Sequence, residues 1–162
     1  MQHKTIKLWT STRKTGNILS GNEKLNPKIT NEIKELTGLK ITQNDIEIFP
    51  KILKTFPVYQ NRIYRGIFEK DEFYKELLKN NSGITKRYYS FTKSLDIAKL
   101  FGNKIILSID SCKSFDISKF SKENEVILDK NTHLYIKSIE KIGEYTLINL
   151  SLLNKIFCAP II

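Results

Sequence analysis

The feature that most limits how this chain can fold is a change of texture at Pro57. Before it, apolar residues fall at helical spacing; after it, β-branched and aromatic residues gather in short runs. Asn26-Pro27 has the form of a helix start, with Ile29, Ile33 and Leu36 on one face and Gly38 as the stop. A second helix is expected from Thr42 or Asn44, carrying Ile46, Phe49, Ile52 and Leu53, with Pro50 kinking or shortening it. Residues 1–22 hold one apolar patch, Ile6, Leu8 and Trp9, among small polar residues, and read as a strand or a partly ordered arm.

Beyond Pro57, residues 58–68 read as a strand built around Arg62-Ile63-Tyr64-Arg65-Gly66-Ile67. Residues 71–79 read as a helix with Phe73, Tyr74, Leu77 and Leu78 on its apolar side, followed by the turn cluster Asn80-Asn81-Ser82-Gly83. Residues 88–91 suggest a strand, after which Ser94 caps a helix, Leu95–Phe101, that Gly102 ends. Ile105–Ile109 is a buried strand and residues 110–122 a loop. Glu125–Leu128, His133–Ile142 and residues 145–150 are closing strands. Helices first and strands afterwards point to an α+β fold rather than alternating βαβ units. A length of 162 residues suits one domain, with a helical region, 1–57, packed on a core, 58–162.

Composition narrows the class. Forty per cent hydrophobic residues can build a core, which excludes wholesale disorder. The net charge of +10 admits a polyanionic partner. It does not require one: nearly all the positive charge is lysine, and arginine stands only at 13, 62, 65 and 87. Cys112 and Cys158 are too few for a disulfide framework, and with His3 and His133 they have no metal-ligand spacing, so no metal is expected. Residues 1–14 lack the apolar stretch of a secretory signal and no run reaches the length of a membrane span. The expectation is a cytoplasmic protein with no membrane partner.

Three short elements carry chemistry. Arg65 lies mid-strand among apolar neighbours, where its planar fork suits a pyrophosphate and Gly66 allows close backbone approach. Taken alone, it reads first as a surface arginine paired with a carboxylate such as Asp96 or Glu69. Ser90, Thr92 and Ser94 alternate along an extended segment, so their hydroxyls share one face, although Ser94 also suits a helix cap. Glu123 and Glu125 stand at i and i+2 before Val126-Ile127-Leu128. In an extended strand they point the same way, and two like charges side by side raise at least one of the two pKa values. One could hold a ribose hydroxyl while the other orients a nucleophile.

The order of these elements resembles the Arg-Ser-Glu class of mono-ADP-ribosyltransferases, in particular its compact phage and bacterial toxin members. The matching residues are Tyr64-Arg65-Gly66, then Ser90-Phe91-Thr92 with Ala98-Lys99-Leu100-Phe101, then Glu123-Asn124-Glu125-Val126-Ile127-Leu128. The resemblance covers roughly residues 58–150. It implies a split β-sandwich with N-terminal helices and NAD as co-substrate in the cleft. It implies that Arg65 binds NAD, flanked by Tyr64 and Gly66. Ser90 would hold the nicotinamide ribose side, Glu125 would be the catalytic glutamate, and Glu123 would favour arginine as acceptor. Phe115 or Phe120 would pack on nicotinamide or touch the target. The family's Ser-Thr-Ser aligns either as Ser90-Phe91-Thr92 or as Thr92-Lys93-Ser94, which leaves Thr92 a shared candidate.

The expected activity is therefore release of nicotinamide and transfer of ADP-ribose to a macromolecule, a protein arginine or a nucleic acid. An antitoxin or other neutralising partner is left open. Two alternatives remain: an NAD glycohydrolase, which uses the same residues, and a basic RNA- or DNA-binding module without catalysis, in which the Glu pair is ordinary surface.

Overall fold

The computed structural model describes residues 3–101 and 104–153, so Gly102 and Cys158 lie outside the described residues. The regular elements of the described N-terminal quarter are all helices. The segment expected as a strand or arm forms α1 (Lys4–Ser11), a 3₁₀ turn (Arg13–Thr15) and α2 (Gly16–Leu19). Local capping explains the correction: the His3 ring accepts from the Thr5 N–H, and the Thr12 hydroxyl accepts from the Lys14 N–H. Packing completes it, since Ile6 and Leu8 are fully buried.

The next two helices follow their sequence signals. In α3 (Pro27–Thr37), Asn26 caps the start, Pro27 occupies the first turn and Gly38 ends it at φ +74°. In α4 (Gln43–Leu53), Thr42 and Asp45 form a reciprocal capping box. This helix runs on through Pro50 to Leu53 instead of stopping. Lys4 donates to Asp45 at 2.9 Å, which ties α1 to the start of α4.

The expected strand over 58–68 is two strands, β1 (Val58–Tyr59) and β2 (Ile63–Ile67), because they pair with different partners. Then come α5 (Glu72–Asn80), β3 (Ser82–Ile84), β4 (Tyr89–Thr92), α6 (Leu95–Phe101) and β5 (Ile105–Ile109). β3 forms inside the expected turn cluster and pairs with β8 (His133–Ile142). The expected loop over 110–122 holds β6 (Ser114–Asp116) and a 3₁₀ turn (Ser118–Phe120). β7 (Glu125–Leu128), β8 and β9 (Tyr145–Leu152) close the chain as expected.

The strands lie in the order β1-β6-β7-β4-β2-β5-β9-β8-β3. The junction between β4 and β2 is one residue pair, Thr92 with Tyr64, whereas β2 and β5 pair along five residues. The sheet therefore splits there into two leaves. Val126, Leu128, Tyr89 and Phe91 of one leaf pack with Leu107, Ile109, Ile148 and Leu150 of the other. On the outer face of the first leaf, Tyr88 and Ile127 join Ile6, Ile33, Phe49 and Leu53 in a second core. This is an α+β split β-sandwich with a helical layer, and its strand alternation decides which residues face which core.

Candidate active site

The motif residues sit on three neighbouring strands, β7, β4 and β2, at the split. Thr92 pairs with Glu125 on one side and with Tyr64 on the other. Ser90 pairs with Ile127. Directly opposed residues of an antiparallel pair share a face, so Ser90, Thr92 and Glu125 all point away from the inter-leaf core and toward the helices. Arg65 stands two residues from each of the core residues Ile63 and Ile67 and shares their strand face, so its side chain enters the space between the leaves.

A cavity of about 800 Å³ opens at this junction. Arg65, Gly66, Tyr64, Ser90, Thr92, Glu123, Glu125 and Phe120 all line it. Phe115 is not among its lining residues; it packs against the helical core instead. Phe120 stands edge-on to Phe56, with centroids 5.9 Å apart. Ser94 serves as the cap of α6, accepting from the Ile97 N–H.

Arg65 is the cation of the site. Its Nη1 donates to the Ser90 carbonyl at 2.7 Å, and its guanidinium lies over the Tyr89 ring at 5.1 Å. Its Nε is buried and has no hydrogen-bond partner among the described residues. No carboxylate pairs with it there, so neither Asp96 nor Glu69 neutralises it. Burial pushes its pKa down and Asp71 pushes it up, while Arg87 and Arg13 add like-charge repulsion. An arginine keeps its proton regardless, so the imbalance is a standing demand for an anion.

Glu125 is the carboxylate of the site and is only 4% exposed. Burial raises its pKa; the Trp9, Ser90 and Ser121 side chains lower it, and the Glu123 charge raises it. The Trp9 indole N–H donates to Oε2 at 2.6 Å. The two glutamates do not share a strand face. Asn124 adopts φ +52°, β7 begins at Glu125, and Glu123 stays exposed at the cavity rim. The Thr92 hydroxyl donates to the Glu123 carbonyl at 2.8 Å and accepts from the Ser94 N–H, tying this turn to the start of α6. Beside it, Lys93 bonds Asp116 at 2.7 Å, and Asp116 accepts from the Ser118 hydroxyl, which fixes the 3₁₀ turn that carries Phe120.

The lining residues outside the three sequence motifs include Trp9, Arg13, Arg87 and Ser121. The arginines had a signal, the scarcity of their type: three of the chain's four arginines line this cavity. Trp9, the chain's single tryptophan, reads from sequence as a core residue or a base-stacking ring. Because its segment did not read as a helix, its place beside Glu125 was not legible.

No protein-family model matches the chain, and no curated protein matches it in sequence. Solved structures do match in fold. Exoenzyme S from Pseudomonas aeruginosa, solved with human 14-3-3 protein beta and carba-NAD, is 14% identical. The match covers 93% of this chain and 72% of that one, with a TM-score of 0.63. Vis toxin, an ADP-ribosyltransferase from Vibrio splendidus, is 16% identical over 92% and 72%, with a TM-score of 0.65; a further Vis structure contains agmatine. An ADP-ribosyltransferase from Clostridium botulinum is 18% identical over 92% and 84%, with a TM-score of 0.58. The fold is thus that of the ADP-ribosyltransferases.

Proposed function

We propose that this protein is an NAD-dependent mono-ADP-ribosyltransferase of the Arg-Ser-Glu class. It would cleave the N-glycosidic bond of NAD, release nicotinamide and pass ADP-ribose to a macromolecular acceptor. One observation carries the reading: Arg65, with no carboxylate partner among the described residues, and the buried Glu125 line the same cavity from β2 and β7, which flank β4 in one split sheet. The residues fit the substrate. A buried, orphaned Arg65 Nε calls for an acceptor, and a pyrophosphate oxygen supplies one. Arg13 and Arg87 extend the positive field around it. The volume, about 800 Å³, lies within the range of ligand pockets.

The chemistry needs little more than these groups. Nicotinamide in NAD is cationic and leaves with the electron pair of the glycosidic bond, so positive charge grows on the ribose. An ionised Glu125 stabilises that charge and accepts from the ribose 2′-hydroxyl. Ser90 steadies Glu125 and, through its carbonyl, Arg65. Tyr64 and Gly66 border the NAD site, and Thr92 acts mainly by holding the turn before Glu125. Phe120, which lines the cavity, would touch nicotinamide or target, whereas Phe115 packs against the helical core. The helical region, 1–57, shares the site with the core, 58–162, because Trp9 reaches Glu125.

Glu123 is assigned to the acceptor. It is exposed at the rim, next to the reacting carboxylate but outside its buried setting. A guanidinium acceptor suits it, and the agmatine complex of Vis supports that class. Glu123→Gln should keep nicotinamide release into water and lose transfer by about tenfold or more, the worth of one charge-assisted contact. Equal transfer would remove Glu123 from the acceptor site. The basic surface favours a second acceptor class, nucleic acid.

Incubation with labelled NAD and a cell lysate tests the activity. Wild type should label a target, and Glu125→Gln, still folded, should reduce labelling about 10²–10³-fold. Equal labelling by both would sink the assignment of Glu125. Protease-sensitive, nuclease-resistant label identifies a protein acceptor. Nicotinamide release without any label indicates a glycohydrolase. No release, together with steeply salt-dependent RNA or DNA binding, indicates a binding module instead.

A further inference from the structure

We propose that Trp9 is a positioning residue for Glu125: its indole N–H holds Oε2 so that Oε1 is presented to the ribose hydroxyl of bound NAD. The proposal rests on the functional reading above for its substrate, but the contact itself can be tested without NAD.

The geometry is specific. The Trp9 Nε1 to Oε2 distance is 2.6 Å, at the short end for a donor facing a carboxylate. Glu125 is 4% exposed, so water cannot readily take the indole's place. An indole N–H only donates, and it bonds a carboxylate more strongly than a neutral carboxyl. The contact therefore favours the ionised form in a setting whose burial disfavours it.

Trp9 is itself held from several sides. Its ring stacks on Phe49 with centroids 5.4 Å apart and planes 20° apart. Phe49 is fully buried and meets Tyr88 edge-on at 5.5 Å. The helix carrying Trp9 is tied to α4 by Lys4 and Asp45. The donor's position is thus set by the helical core and passed to the sheet at one atom.

The surrounding charges leave few other groups to do this work. Glu123, from the turn before β7, opposes ionisation, and the Ser90 and Ser121 hydroxyls assist it. On β4, Lys93 is engaged by Asp116. On β2, Arg65 binds the Ser90 carbonyl. Beyond α1, Arg13 lies over Phe101, and Lys122 stands exposed at the rim. On α1 itself, Lys4 is paired and Lys7 is exposed.

Trp9 is the chain's single tryptophan, so intrinsic fluorescence reads this contact directly. The full chain without NAD should show a fluorescence inflection at a pH above the ordinary carboxylate range. Glu125→Gln should abolish that inflection and Glu123→Gln should keep it. In turnover, Trp9→Phe retains the ring on Phe49 and removes the donor. The acid limb of its kcat profile should move to higher pH. Its kcat at neutral pH should fall about tenfold, the worth of one hydrogen bond to a charged group, with KM for NAD changed less than about threefold.

An inflection that survives in Glu125→Gln, or none in wild type, overturns the proposal even if Trp9→Phe fails to fold. An acid limb that stays in place in Trp9→Phe overturns it as well. If wild type shows the Glu125-dependent inflection but releases no nicotinamide, the enzymatic reading fails while the Trp9–Glu125 contact stands supported.

Discussion

At the residue scale, the site sets two unfavourable burials side by side. Glu125 has a pKa raised by burial above the ordinary 4.5. The native state therefore binds this proton more tightly than the unfolded chain does. Stability falls as pH rises from the unfolded value through the folded one, and it is lower above that window than below it. Glu125→Gln keeps an acceptor for Trp9 and removes the charge. Its Tm should exceed that of wild type at neutral pH and match it in acid, as thermal unfolding at both pH values will show. A Tm below wild type at neutral pH would mean the carboxylate is better compensated than its surroundings indicate. Arg65→Met is the complementary change. It should weaken NAD binding about ten- to hundredfold, the loss of one or more charge-assisted bonds, measured by calorimetry. The fold should tolerate it, because the cation it removes is in no salt bridge among the described residues and faces Arg13 and Arg87.

At the scale of elements, the N-terminal helices complete the site rather than decorate it. Their anchor is Asp45, 5% exposed, which closes the capping box of α4 and accepts from Lys4. Burial pushes its pKa up, but the Lys4 and Thr42 contacts win and hold it below 3.8. Its contribution is present above the unfolded carboxylate pKa and is lost as pH falls through the folded one. Asp45→Ala should cost about 1–2 kcal/mol at neutral pH, the worth of a lost cap, and the gap from wild type should close in acid. Urea unfolding at both pH values checks it.

The same elements show what a sequence reveals. α3 and α4 were legible because their caps and apolar stripes coincide. α1 was not: its eight residues have no acidic first turn and no basic last turn, and its apolar stripe spans only a few positions. β3 and β6 hide for a different reason. Each has three residues, too few for an alternation, and each exists because a longer neighbour offers an edge.

At the scale of the whole molecule, the site is a consequence of the split. One residue pair joins the leaves, and Thr92 sits in that pair with Glu125 on its other side. Arg65, Ser90 and Glu125 were legible because each lies on a strand with a recognisable local pattern. Their meeting was not, since β2, β4 and β7 become neighbours only through long connections. Phe115 was misplaced for a related reason: its segment read as a loop, whereas pairing within β6 directs its side chain to the helical core. The basic balance also divides at this scale. Arginine gathers at the cavity, while the more numerous lysines set the overall charge.

The most direct measurement is a crystal structure of Glu125→Gln with intact NAD. The pyrophosphate should lie on Arg65, with a phosphate oxygen at its Nε. The nicotinamide ribose should lie between Ser90 and the substituted side chain at position 125, with Trp9 still bonded to that side chain. NAD bound away from this cavity, or within it with the pyrophosphate clear of Arg65, would contradict the account.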